Sequence, residues 1–72
     1  MMDIKAALDF AADKEAVIMF CKNDGKRTMQ IIVPTIPGQT IEAEVTLTKP
    51  GGFYITQAIC DVLTNIKEKI VK

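Results

Sequence analysis

From Thr40 to Thr48 the chain reads Thr40-Ile41-Glu42-Ala43-Glu44-Val45-Thr46-Leu47-Thr48, apolar and polar side chains alternating without a break. Successive side chains on a strand point to opposite faces, so this segment can bury one face only as a β-strand. A strand with one wet face belongs to an antiparallel sheet covered on a single side. Ile41, Ala43, Val45 and Leu47 should then face the core, with the Thr and Glu side chains in water.

Two more strands precede it. Residues 16–22 (AVIMFCK) are rich in strand formers and too short for an independent helix. Asn23-Asp24-Gly25-Lys26 is a hairpin turn signal, because Gly25 can take the positive φ that tight turns demand. Residues 27–33 (RTMQIIV) return as the second strand, and Pro34 ends it by removing a ladder donor. Pro37-Gly38 fits the central positions of a type II turn, and Lys49-Pro50-Gly51-Gly52 closes the third strand.

Helices flank the strands. Asp3 is a suitable N-cap for a helix to about Asp13, with Ile4, Ala7, Leu8 and Ala11 at helical spacing. Phe10 is off that stripe, placing it either on a second contact surface or at the core edge. The last helix starts at Phe53 or, with Thr56 as N-cap, slightly later. Its stripe is Ile55, Ile59, Val62, Leu63, Ile66 and Ile70, and Lys67, Lys69 and Lys72 complement the dipole at its end. The expected fold is α+β: a two-layer α-β-β-β-α domain over residues 1–72, its three-stranded antiparallel sheet carrying both helices on one face.

The first strand breaks the pattern of the third. Ala16, Ile18 and Phe20 oppose Val17, Met19 and Cys21, so it is apolar on both faces. The hairpin register decides which set lies inside, and a shift of one residue exchanges them. The outer face therefore carries either Val17, Met19 and Cys21 with Ile32, or Ile18 and Phe20. The first set, with Phe10, is the candidate partner surface.

Chemistry is sparse. The chain has no histidine, and Cys21 and Cys60 fit neither a metal motif nor a disulfide framework; both are expected as buried, inert thiols. Glu42 and Glu44 share a strand face but lack a concave site that would separate their pKa values, so they read as a solvated surface. Lys49-Pro50-Gly51-Gly52 before a helix has the form of an anion cradle but lacks the rest of a phosphate loop; a plain turn is the simpler reading. Pro34-Thr35-Ile36-Pro37 has PxxP spacing and no close basic flank. No catalytic residue, cofactor or metal is expected, and no small-molecule substrate is evident.

Nine basic and nine acidic residues cancel, which removes the simple electrostatic argument for nucleic acid or an anionic membrane. The longest apolar run, Ala16 to Cys21, is far too short to span a bilayer, and Met1-Met2-Asp3 carries acid where a signal peptide needs base. A cytoplasmic protein is the expectation. At 72 residues the core supplies about 3–5 kcal/mol, so tight packing or self-association must supplement it. These features point to a small non-enzymatic binding or regulatory protein that pairs with a second copy or another protein. Small accessory proteins of phages and other mobile elements often take such compact forms.

In topology alone, the α-β-β-β-α order at this length resembles the double-stranded-RNA-binding domain. That family grips phosphate with a lysine-rich start to its second helix and a histidine-bearing loop. Here the second helix begins Phe53-Tyr54-Ile55-Thr56-Gln57 and histidine is absent. The alternative function is thus a nucleic-acid module using Lys22, Lys26, Arg27 and Lys49.

Overall fold

In the computed structural model, which describes residues 1–49 and 51–70, a two-residue turn sets the register of the whole sheet. Asp24 and Gly25 both take positive φ, 53° and 78°, the backbone of a type I′ turn that matches the twist of the strands it joins. The turn pairs Asn23 with Lys26, and the ladder between β1 (Val17–Asn23) and β2 (Lys26–Pro34) runs back to Val17 opposite Ile32. β3 (Thr40–Leu47) pairs antiparallel with the other side of β2, Ile31 opposite Ala43 and Met29 opposite Val45. The strand order is β1-β2-β3, leaving β1 and β3 at the two edges.

That register settles which face of β1 lies inside. Ile18 pairs with Ile31 and Phe20 with Met29, so they share the inner face with the fully buried Met29, Ile31 and Val33. Val17, Met19 and Cys21 lie outside beside Ile32, Gln30 and Thr28. β3 alternates exposed and half-buried residues along its length, its Thr and Glu side chains outward.

Between β2 and β3, Gln39 N donates to Ile36 O at 2.9 Å, and Gly38 takes φ 82°. Pro37 and Gly38 thus occupy the centre of a type II turn. Pro50 and Lys72 lie outside the described residues.

Helix α1 (Ile4–Asp13) starts where Asp3 Oδ1 accepts a hydrogen bond from Ala6 N at 2.8 Å. Its other end is a Schellman motif built without glycine. Ala16 N donates to Ala11 O (2.9 Å) and Glu15 N to Ala12 O (3.2 Å), while Glu15 sits at φ 56°. Helix α2 (Gly52–Ile70) buries Ala58, Cys60, Val62, Leu63 and Ile66, with Ile55, Ile59 and Ile70 half-buried at the margins. It packs on α1 and β3, and Thr64 Oγ1 accepts from Met2 N at 3.1 Å, tying the start of the chain to it.

The stripe on α1 is narrower than its spacing suggests. Ala7 and Ala11 are buried, but Ile4 and Leu8 are exposed. Phe10 is half-buried against the core, with Lys67 Nζ 6.0 Å above its ring, so it lies on the flank facing α2. Leu8 is roughly 160° round the helix from Phe10 and turns away from α2. Helix α2 in turn contacts both α1 and β3.

Two measurements check this account. Glu15→Gly relieves left-handed strain and should stabilise the domain by about 0.5–1 kcal/mol in urea unfolding. Leu63, fully buried, should cost about 2–5 kcal/mol when cut to alanine, whereas exposed Leu8→Ala should stay within about 0.5 kcal/mol.

Candidate functional site

Of the two helices, α1 is shorter than the strand that follows it. Ten residues of α1 extend about 15 Å, whereas seven residues of β1 extend about 23 Å. The strand is left uncovered towards the hairpin. Although it sits on the inner face, Phe20 is 56% exposed, and every residue of β1 except Ile18 is exposed.

Three surfaces meet at this strand. The first is its free edge. Asn23 and Lys26 close the turn as a hydrogen-bonded pair, so alternation points the N–H and C=O groups of Ile18, Phe20 and Lys22 away from β2. The second is the outer face, where composition changes from edge to edge. Val17, Met19 and Cys21 on β1 give way to Ile32, Gln30 and Thr28, then to Glu42, Glu44 and Thr46 on β3. Cys21 is exposed there, against its expectation as a buried thiol, because the register sends it outward. Cys60 is buried, and both thiols are free.

The third is a cavity of about 250 Å³ on the inner face at the hairpin end. Phe20, Leu47 and Ile55 supply its apolar lining, and Lys22, Arg27 and Lys49 supply cationic groups. Three elements bring them together. Lys22, Arg27 and Leu47 form one cross-strand row, Lys49 follows β3, and Ile55 comes from the first turns of α2. Gly51, at φ 109°, turns the chain into that helix, and its carbonyl accepts from Ile55 N at 3.3 Å.

The nine candidate residues therefore separate. Val17, Met19, Cys21 and Ile32 share the outer face, while Phe10 is in the helical layer and belongs to another surface. Among the basic candidates, Lys22, Arg27 and Lys49 line one cavity, whereas Lys26 borders an outer-face hollow with Asn23 and Glu44. Residue spacing did not reveal the contribution of Phe20, Leu47 and Ile55 to the cavity. The available signal was the register of Asp24-Gly25, which places Phe20 and Lys22 on the same side as Leu47.

Glu42 and Glu44 stand on the open outer face, exposed. Phe53 is 86% exposed in the first turn of α2 and takes no part in the cavity. No helix among the described residues is long and apolar enough to cross a membrane. No known protein family, curated protein or solved structure matches the chain.

Proposed function

We propose that this chain is a small non-enzymatic binding protein, regulatory in role, that acts through protein–protein contacts and first of all pairs with a second copy of itself along β1. One observation carries the reading: β1 is an edge strand with unpaired backbone groups and apolar side chains on both faces. The other edge is different. β3 presents Glu42 and Glu44 on its outer face, a pair of like charges that resists lateral pairing with another β3. On β1 the only charge is Lys22, near the hairpin.

The strand is self-complementary in one register. A two-fold axis at Met19 sets Ile18 against Phe20 of the partner subunit and Val17 against Cys21 of the partner subunit. Ile18 and Phe20 then exchange the backbone hydrogen bonds that point outward from each copy. Apolar side chains meet apolar ones on both faces, and the six strands form one continuous sheet. One short strand per copy makes a small interface, so the dissociation constant should be in roughly the micromolar range. Two free thiols, one exposed, suit a reducing compartment such as the cytoplasm.

Sedimentation across micromolar concentrations should show a monomer–dimer equilibrium. Met19→Lys places two like charges opposite each other and should yield a monomer with unchanged circular dichroism. With Cys21 and Cys60 replaced by serine, Met19→Cys should form a symmetric disulfide on mild oxidation. Facing residues of a non-hydrogen-bonded pair have Cα atoms about 4.5 Å apart, within disulfide reach. A strict monomer at about 100 μM, far above that range, would remove the reading.

A further inference from the structure

The cavity under the start of α2 makes a demand that strand pairing does not meet. Three of the nine basic residues of a neutral chain converge on it, and its lining contains no acidic residue. Lys22 and Arg27 stand directly opposite each other across the β1–β2 ladder, an arrangement of like charges that destabilises a sheet. Among the described residues the one ion pair is Lys5–Asp9 on α1, so none of the three cations of the cavity has an acidic partner. Between them lies an apolar floor of Phe20, Leu47 and Ile55.

We infer that this cavity binds a small amphipathic anion: a carboxylate or phosphate monoester carrying one aliphatic or aryl group. The charge sets the sign of the ligand. Three solvated cations around a partly apolar cleft raise the local potential, and an anion among them lowers their mutual repulsion. Arg27 offers a planar fork suited to either oxyanion, and the two lysines supply point charges around it. The apolar floor sets the rest of the ligand. An ion that fits only the cations leaves Phe20 wet, whereas an attached alkyl or aryl group covers it.

Size sets the limit. At about 250 Å³ the cavity falls just below the range of drug-sized sites, so one short chain or one ring fills it. A polymeric anion is a poorer fit. Lys26, which a phosphate backbone crossing the hairpin would also use, faces the other side of the sheet. The site shares Phe20 with the proposed seam, but its cations lie on the hairpin side of that residue and Met19 is not part of its lining.

The test is a heteronuclear NMR titration of the full chain with octanoate and with phenyl phosphate, using inorganic phosphate and 1-octanol as controls. At least one amphipathic probe should shift the amides of Phe20, Lys22, Leu47 and Ile55 saturably, with a dissociation constant of about 0.1–1 mM for so small a ligand. The relative strength of the two identifies the head group. Each control should bind at least about tenfold more weakly, because it lacks one half of the recognition. Arg27→Gln combined with Lys49→Gln should weaken binding about tenfold or more, with the thermal midpoint of the free protein unlowered. Met19→Lys should retain binding, which separates this site from the dimer seam. Absence of saturable shifts with both probes would overturn the inference. So would inorganic phosphate binding as tightly as the amphipathic probes, or undiminished binding by the double variant. Salt-sensitive binding of duplex RNA that falls equally with Lys26→Gln would assign the cations to a nucleic-acid backbone instead.

Discussion

The pairing of β2 with both neighbours holds this domain together. Among the described residues it is the only strand with partners on each side, and its inner residues Met29, Ile31 and Val33 are fully buried. Everything above the sheet rests on that row, with Leu63 and Ile66 of α2 completing the centre of the core. The row can be buried only if β1 and β3 meet β2 in register. One register is set by the two positive-φ residues of Asp24-Gly25, and the other follows the ordered turn at Pro37-Gly38. A slip of one residue at the hairpin would bring Met19 inside and turn Phe20 out.

From that constraint the uncovered strand follows. In so short a chain, α2 can run the length of the sheet over β3, but α1 has only ten residues. Its Schellman motif at Glu15 fixes its C-terminal end beside the start of β1, the end away from the hairpin. The domain thus has apolar strand residues without enough helix to roof them. Phe20, 56% exposed on the inner face, is the consequence. In a domain whose core is this small, such exposure has an energetic cost that a bound surface can recover.

The parts legible in the sequence were those where local pattern and final environment agree. Thr40–Thr48 alternates and lies half-buried with its polar side out, and the stripe of α2 centres on Val62, Leu63 and Ile66 as its periodicity predicts. The α-β-β-β-α order and its three-stranded open antiparallel sheet follow from those patterns and the turn residues between them. Where the environment departed from local pattern, reading failed. Ile4 and Leu8 have core spacing yet stand exposed, because burial there depends on where α1 rests on the sheet and not on its own period. Cys21 looked like a buried thiol from residue type, and the register sends it to the outside. β1 offered no alternation to read, so its faces depended on hairpin pairing. The cavity needed more still, since Lys22, Arg27, Lys49 and Ile55 meet only after all three strands and α2 are in place.

The cavity and the seam have one structural origin. Both stem from the open strand β1, where Phe20 is 56% exposed beside Lys22. Apolar side chains laid over the charged row of Lys22 and Arg27 would be unfavourable without a counter-ion. The short helix leaves both cations in contact with water while α2 shields the apolar floor at Leu47 and Ile55. Solvated charge thus stands next to sheltered apolar surface in a small volume. A ligand with both characters gains from each side of that boundary, whereas simple salts gain from one. The exposure that makes β1 a weak point of the fold is thus the surface that the proposed partner and the proposed ligand would each cover.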